Sequence, residues 1–252
     1  MSTWVLLRGL TRESRHWGAF PDELRAACGD AAVHAIDLPG NGSLCRQASP
    51  LRVADMAASC HAQLREQRIA PPYHVLAMSL GAMVAVEWAR QHPEEVAGCV
   101  LINTSLRPFS PFHHRLRPRN YPLLARLLLG TDAAYRESVI LKLTSNRPAN
   151  PAKIDEWAGY ARQNPVSAAN ALHQLVAAAR YEAPIVKPPS SMLILASHND
   201  RLVDPRCSHR LAECWGASFA EHPAAGHDLP LDDGPWVVDQ VRCWLYSFPP
   251  RC

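Results

Sequence analysis

The sequence has no long uninterrupted run of apolar residues. One of its longest apolar stretches, at residues 123–129, is broken by Arg126, whereas a membrane-spanning helix needs about 20 predominantly apolar residues. We therefore expect no membrane span. The apolar stretch at the amino terminus is also short, because Arg8 follows Leu7, and a secretory signal has a basic start and an apolar segment of about 7–15 residues. A cytoplasmic location is the expectation.

The chain also lacks a large excess of either charge. Its 252 residues include 26 Lys and Arg and 23 Asp and Glu, for a formal net charge of +3. This balance argues against nucleic-acid binding by the surface as a whole. Hydrophobic residues make up 48% of the chain and charged residues 19%. Such a composition excludes a wholly disordered protein and is sufficient for a sizeable core in one large domain or two small ones.

Cysteine spacings typical of zinc or redox sites are absent, since none of the eight cysteines belongs to a CxxC pair. Their even number leaves a disulfide framework open as an alternative. Free buried thiols are more typical of a chain of this length without an export signal. We expect neither a metal ion nor an organic cofactor.

Short β-rich apolar runs alternate with helical patterns at both ends of the chain, which predicts an α/β fold. A mostly parallel sheet of about six strands, with helices on both faces, accounts for this alternation. We expect a core domain of residues 1–104 and 190–252 and a helical cap (lid) insertion of residues 105–189, with an irregular segment at 107–122. The predicted strands are residues 3–7, 32–38, 73–78, 96–103, 191–196 and 217–222, and the final helix is predicted at residues 235–248.

The most informative segment is LAMSLGA, at residues 76–82. Ser79 lies between a predicted strand and a predicted helix, with Ala77 two residues before it and Gly81 two residues after it. A sharp strand-to-helix turn holds a serine in a strained conformation and needs small residues at both positions. This is the G-x-S-x-G pattern with alanine for the first glycine, and it predicts that Ser79 is a nucleophile. The alternative is a serine that caps an ordinary helix.

A nucleophilic serine needs a base and an acidic residue that orients the base. In a site of this type the acid follows the serine in the chain and the histidine comes last. Asp200 follows the predicted strand 191–196 and precedes a helix. Asp204 is the alternative acid, although its position before Pro205 is typical of a helix cap. No Asp or Glu occurs after the fourth predicted strand until Asp132.

The base is expected after the last strand. Gly226 and His227 lie in a loop before the final predicted helix, among small residues that would let an imidazole reach inwards. His222, at the end of the strand, is the alternative, but its place is more typical of a structural or surface histidine. The predicted catalytic residues are therefore Ser79, Asp200 and His227.

Charge that develops on a carbonyl oxygen is stabilised by backbone N–H donors. Leu80, directly after Ser79, is expected to supply one of them. The other is expected from Leu10, in the loop after the first strand, where Gly9 permits a turn. The alternative is that Gly9 only ends the strand.

These motifs together resemble the α/β-hydrolase fold superfamily, in the branch of small capped serine esterases and lactonases. The resemblance extends along nearly the whole chain through VLLRGL, AIDLPGNG, AMSLGAM, VLINTS, LILASHNDRLV and PAAGHDLPLDD. It implies hydrolysis of carboxylic esters or thioesters of small to medium acyl groups through an acyl-enzyme intermediate. Lactone or C–C bond hydrolysis, acyl transfer and ligand binding without catalysis are the alternatives, because a fold does not fix a function.

Two features depart from the family pattern. Family members usually have histidine before the glycine of the oxyanion loop, where this chain has Arg8. The usual amino-terminal hairpin is absent as well, which is why we expect about six strands and not eight. Arg8 is a candidate for binding a substrate carboxylate, with pairing to a local acid as the alternative.

The first part of the predicted cap is rich in arginine, and residues 96–131 contain no acid. This segment could bind an anionic substrate or an acidic carrier protein. In the second case the chain would resemble the pimeloyl-[acyl-carrier protein] methyl ester esterases. The alternative is that the segment is an ordinary solvated surface. Its basic residues are Arg107, His113, His114, Arg115, Arg117, Arg119 and Arg126. The aromatic candidates for an acyl pocket, or alternatively for the core, are Phe109, Phe112, Tyr121, Trp157 and Tyr160.

Overall fold

The computed structural model describes residues 3–128, 132–148 and 150–247. Six strands in these ranges form one sheet in the order β2-β1-β3-β4-β5-β6, and every neighbouring pair is parallel. The prediction of a mostly parallel six-stranded sheet is confirmed. The strands are β1 (Thr3–Leu7), β2 (Ala32–Ile36), β3 (Tyr73–Met78), β4 (Val96–Ile102), β5 (Ser191–Ser197) and β6 (Ser218–His222).

Helices connect successive strands, as parallel pairing requires. The final helix, α10, begins at Leu229, earlier than the predicted start at Pro235, because a kink at Asp233 (φ −152°, ψ 73°) joins two helical segments. Its predicted end, Phe248, lies outside the described residues. The helices are α1 (Phe20–Ala27), α2 (Val53–Glu66), α3 (Leu80–Gln91), α4 (Phe112–Arg115), α5 (Tyr121–Leu128), α6 (Ala133–Thr144), α7 (Pro151–Gln163), α8 (Ala168–Arg180), α9 (Arg206–Trp215) and α10 (Leu229–Tyr246).

The core lies on both faces of the sheet. Successive side chains of a strand point to opposite faces, and β1 divides its apolar residues accordingly. Trp4 and Leu6 belong to the cluster that includes residues of α1 and α10, whereas Val5 and Leu7 belong to the cluster of α2 and α3. Because both faces are covered, β1 is apolar at consecutive positions and does not alternate with polar residues.

The long connection between β4 and β5 contains helices α4 to α8. The segment predicted to be irregular, residues 107–122, holds the four-residue α4 and a 3-10 turn at Pro118–Asn120. Of the two predicted domains, residues 1–2 and 248–252 of the core and residues 129–131 and 149 of the insertion lie outside the described part.

No helix in the described ranges combines the length and the apolarity that crossing a membrane requires. The seven cysteines that the structure describes are free thiols; Cys252 lies outside it. Three of the seven are buried, two are half-buried and two are exposed. In that order they are Cys60, Cys99, Cys207, Cys28, Cys45, Cys214 and Cys243.

Candidate active site

Ser79 forms the turn between β3 and α3. Its backbone has φ 52° and ψ −116°, a conformation that residues other than glycine rarely adopt. Its N–H donates to the carbonyl of Ile102 at 2.9 Å, which ties the turn to the end of β4. A Cβ atom added to Gly81 would lie 2.6 Å from the carbonyl oxygens of Leu7 and Arg8. Close approach of two backbones is thus the reason for glycine two residues after the serine.

The loop after β1 lies directly beside this turn. Leu7 is paired with Ala77 in the sheet register, and a Cβ atom on Gly9 would lie 3.7 Å from Ser79 Oγ. The following residue, Leu10, lines the same cavity as Ser79. Leu80 begins α3, where backbone N–H groups have no acceptor within the helix. Both predicted oxyanion donors therefore belong to segments that adjoin Ser79.

Asp200 and His227 form a buried pair. His227 Nδ1 lies 2.7 Å from Asp200 Oδ2, and the two side chains are 5% and 2% exposed. Asp200 Oδ1 accepts the backbone N–H groups of Leu202 at 2.7 Å and Val203 at 2.9 Å, which fixes the carboxylate. Because a carboxylate only accepts hydrogen bonds, Nδ1 carries the ring proton and Nε2 is left as an acceptor.

The alternative acid and base have other partners. Asp204 accepts from Arg206 Nη2 at 2.7 Å, and this hydrogen bond lowers the pKa of the Asp204 carboxyl to about 2. His222 Nε2 lies 3.2 Å from Asp233 Oδ2, and His222 Nδ1 accepts the N–H of Ala225 at 2.8 Å. Both residues stabilise loops at the carboxyl edge of the sheet.

Two polar residues that the sequence analysis did not identify hold the His227 loop. Asn103, at the end of β4, donates from Nδ2 to the carbonyl of His227 at 2.8 Å. Asp232 accepts the N–H groups of Gly226 at 2.7 Å and Asn146 at 2.9 Å. The Asn103–His227 contact spans 124 residues and the Asn146–Asp232 contact 86, so no local sequence pattern signals them.

Arg8 lines the cavity, but both of its terminal nitrogens contact Asp228. Its Nη1 donates to Oδ1 at 3.1 Å and its Nη2 to Oδ2 at 2.5 Å, and the side chains are 3% and 4% exposed. The guanidinium also lies 4.7 Å from the ring centroid of Trp17. The structure thus gives Arg8 a buried acid partner, which is the alternative that the sequence offered to the binding of a substrate carboxylate.

A cavity of about 300 Å³ has Ser79 and His227 in its wall. The remaining wall is mostly aliphatic, and the connection between β4 and β5 supplies most of it. Its main apolar members there are Leu124, Leu127, Leu128, Ile140, Leu143, Val166 and Leu175.

The five aromatic residues predicted for an acyl pocket do not contribute to the described lining of this cavity. Phe112 is 73% exposed and Tyr121 40% exposed, while Phe109 packs edge-to-face on Trp215. Trp157 is buried beneath the guanidinium of Arg12, with a separation of 5.2 Å from the ring centroid. Tyr160 packs with Arg15 over its ring. None of the five predicted aromatics is among the described residues that line the cavity.

The cavity also has a polar wall that the sequence analysis missed. Arg12 Nη1 donates to Glu137 Oε2 at 2.5 Å and lies 2.8 Å from His16 Nε2. Burial, followed by the charge of Arg12, lowers the pKa of His16 well below its usual value. A neutral His16 ring can accept a hydrogen bond from Arg12, so this group connects the loop after β1 to α6.

The five arginines in the first part of the predicted cap do not form one surface. Arg107 pairs with Glu182 at 3.0 Å, Arg115 donates to the carbonyl of Ala178 at 2.6 Å, and Arg126 stacks over Tyr135 at 5.3 Å. The other two arginines line a second, open cavity of about 420 Å³. Its walls are Arg117, Arg119, Asn146, His198, Asn199, Asp200, Arg201 and Ala224.

Comparison with known proteins agrees with this architecture. The family model described as the alpha/beta hydrolase family matches residues 4–240. The chain belongs to the α/β hydrolase family. The chain also superposes on an esterase from Exiguobacterium antarcticum, with a TM-score of 0.79 and 14% sequence identity. The superposition covers 98% of this chain and 92% of the esterase. At that identity the likeness establishes a shared fold.

Two curated relatives of this hydrolase-family chain are named pimeloyl-[acyl-carrier protein] methyl ester esterase. The protein of Chromobacterium violaceum is 34% identical over 92 residues, which cover 36% of this chain and 34% of the relative. The protein of Photorhabdus laumondii subsp. laumondii is 30% identical over 156 residues, which cover 55% of this chain and 56% of the relative. The matches thus span from a third to just over half of these relatives.

Proposed function

We propose that this chain is a serine hydrolase that cleaves carboxylic esters or thioesters of small to medium acyl groups. One observation supports the proposal above the others. Ser79, in its strained turn, and His227, which pairs with the buried Asp200, line one cavity although the three residues come from distant parts of the chain.

The reaction follows from the chemistry of these groups. His227 Nε2 takes the hydroxyl proton while Ser79 Oγ attacks the acyl carbonyl, and Asp200 stabilises the imidazolium that forms. The N–H groups of Leu10 and Leu80 donate to the oxyanion. The imidazolium then protonates the leaving alcohol or thiol, which leaves an acyl ester on Ser79. Water that gives its proton to His227 releases the acid and restores the serine.

The size and lining of the cavity support the substrate class. A volume of about 300 Å³ is at the lower end of the range of about 300–1,000 Å³ for small-molecule sites. Aliphatic walls favour an unbranched or modestly branched acyl chain, which gains hydrophobic free energy from burial. The mechanism uses only groups of the protein and water, so the proposal includes no cofactor.

We assign residues 1–104 and 190–252 to the catalytic core and residues 105–189 to a cap. The aliphatic wall supports this division, because the segment between β4 and β5 supplies most of it. Ser79 lies directly after β3, Asp200 after β5 and His227 after β6. We also propose a cytoplasmic location, which agrees with seven free thiols in the described ranges.

Replacing Ser79 by alanine tests the proposal directly. Turnover of p-nitrophenyl esters of graded chain length should fall to background, and a fluorophosphonate probe should cease to label the protein. Ser218, exposed at the amino end of β6, is the matched control: Ser218→Ala should leave both readouts unchanged. Undiminished turnover by Ser79→Ala, in protein with an unchanged circular dichroism spectrum, would refute the assignment.

The same experiments separate the alternatives. A ligand-binding protein without catalysis would show no labelling of Ser79. Lactone opening, C–C bond hydrolysis and acyl transfer would all retain the labelling, and product analysis with lactones, diketones and added alcohols distinguishes them from ester hydrolysis.

An anionic or carrier-linked substrate is a second, finer proposal. Arg117, Arg119 and Arg201 line the open cavity of about 420 Å³, in which Asp200 is the lone acidic side chain among the described lining residues. The Asp200 carboxylate is already occupied by His227 and two backbone N–H groups. Three arginines without a free counter-charge would attract an acidic carrier protein or an anionic group, and the two curated relatives carry a name that refers to an acyl-carrier protein.

Charge reversal tests this second proposal. Arg119→Glu combined with Arg201→Glu should raise KM for a methyl ester carried on an acyl-carrier protein, most strongly at low salt, and leave p-nitrophenyl ester turnover unchanged. Arg126→Glu, at the arginine that stacks on Tyr135, is the matched control. An unchanged KM for the carrier-linked ester in the double variant would exclude this cavity as the docking site.

A further inference from the structure

Two imidazoles and two carboxylates meet at the edge of the sheet opposite Ser79. His61 comes from α2, while His92, Glu94 and Glu95 come from the turn between α3 and β4. Glu95 directly precedes β4, so the group lies at the amino ends of the strands. Ser79 follows the carboxyl end of β3.

The turn fixes these residues in place. His92 is the C-cap residue of α3, and its carbonyl accepts a hydrogen bond from the N–H of Glu95 at 3.0 Å. The carbonyl of Glu95 accepts the N–H of Tyr73 at 2.7 Å, which ties the turn to β3. One carboxylate oxygen of Glu95 accepts from Trp88 Nε1 at 3.5 Å, and the other is directed at His61. Backbone and indole contacts therefore orient Glu95. In metal sites, hydrogen-bonding partners of this kind commonly hold the ligands in place.

The side-chain distances match the spacing of ligands around one ion. His61 Nε2 lies 3.1 Å from Glu95 Oε1, and His92 Nδ1 lies 3.7 Å from Glu94 Oε1. Two ligands on a tetrahedral zinc ion, with bonds of about 2.0–2.1 Å, lie roughly 3.3 Å apart. One donor atom from each of His92, Glu94 and Glu95 falls within 4.8 Å of the others. The ring of His61 lies next to this group, tilted by 32° against the ring of His92 with the centroids 4.5 Å apart.

We propose that His92, Glu94 and Glu95 bind one divalent transition-metal ion of the zinc type, with His61 as the hydrogen-bonding partner of Glu95. The imidazole nitrogen of His92 favours zinc, copper, nickel or cobalt over magnesium and calcium, which prefer all-oxygen sites. The two histidine side chains are 16% and 34% exposed, so an ion can enter from solvent. The bound ion would brace the α3–β4 turn, far along the strands from the proposed catalytic residues, and would act on stability and not on the chemistry at Ser79.

Titration of the untagged full-length chain, freed of metal by chelation and dialysis, tests this site. Calorimetry should show one equivalent of Zn²⁺ bound per chain and none of Mg²⁺, and Co²⁺ should give the intense visible absorption of a four-coordinate ion. Zn²⁺ should also raise the melting temperature, because an ion that binds the folded state alone stabilises it. His61→Ala with His92→Ala should weaken Zn²⁺ binding at least about tenfold, since even partners of ligands contribute that much.

Two further variants make the result specific. His113→Ala with His114→Ala is the matched control, because those rings also lie 4.5 Å apart but next to the guanidinium of Arg206, 3.2 Å from His114 Nε2. It should leave Zn²⁺ binding unchanged. Glu94→Gln with Glu95→Gln retains both imidazoles and should also lose affinity. The proposal is overturned if the wild type binds no stoichiometric Zn²⁺, or if either the imidazole or the carboxylate variant binds it as tightly as the wild type.

Discussion

Replacing Asp228 by asparagine would leave the Arg8 guanidinium buried without a counter-charge. The pair is 3% and 4% exposed, and both terminal nitrogens of Arg8 donate to the carboxylate. Removing one partner of such a pair typically costs about 3–5 kcal/mol of folding free energy, because the remaining charge stays desolvated. That is a large part of the roughly 5–15 kcal/mol by which folded domains are stable.

Removing both charges should cost less than removing either one. Arg8→Met places an apolar side chain of similar length beside Met78 and Trp17, which already contact the guanidinium. Combined with Asp228→Asn it leaves no buried charge, so we expect the double variant to be more stable than Asp228→Asn alone. This order of stabilities follows from desolvation, whereas two side chains that contributed to stability independently would give losses that add.

Urea unfolding followed by tryptophan fluorescence and circular dichroism measures these differences, provided that the two transitions coincide. The Asp22–Arg25 pair of α1, whose side chains are 76% and 43% exposed, is the control. Asp22→Asn should cost less than about 1 kcal/mol. The reasoning fails if Asp228→Asn costs no more than this surface variant, or if the double variant is less stable than both single ones.

Two further predictions concern the proposed site. Asp200→Asn should lower kcat about 10⁴-fold, because asparagine does not hold His227 in the reactive tautomer. Asp204→Asn should leave kcat intact but lower the free energy of unfolding. Because the pKa of Asp204 is lowered from 3.8 to about 2 in the folded state, this loss of stability should be present above pH 3.8 and disappear as the pH falls towards 2. Gly81→Ala should cost about 1–3 kcal/mol or more, because its Cβ would lie 2.6 Å from two backbone oxygens. Gly159→Ala, in a helix with open space around it, should stabilise by about 0.5–1 kcal/mol in the same urea assay.

The sheet was predictable because its signals are local. Runs such as YHVLAM are apolar over the length of one strand, and Pro93 and Gly9 mark where elements end. The Ser79 turn was equally predictable, since the small residues it requires lie two positions away. Once the serine was located, the order of strands restricted the acid and the base to two short loops.

The lining of the cavity could not be predicted in the same way. Aromatic and aliphatic residues at helical spacing both indicate a buried face, but the spacing does not indicate whether that face meets the core or a cavity. Trp157 is buried against Arg12, whereas Leu124 and Ile140 line the cavity. The difference depends on how the helices between β4 and β5 dock, and those contacts link residues far apart in the sequence.

Support of the His227 loop depends on contacts of the same long-range kind. Asn103 holds the backbone of His227 from β4, and Asp232 binds both Gly226 and Asn146, which lies in the segment between α6 and α7. The loop that presents the proposed base is therefore attached both to β4 and to the segment between α6 and α7. A change in the docking of the proposed cap would be transmitted to His227 through Asp232, although that segment contributes none of the three proposed catalytic side chains. If the proposed site is correct, this geometry couples substrate selection in the cavity to the position of His227, so substitutions in α6 that enlarge the cavity should change kcat as well as KM.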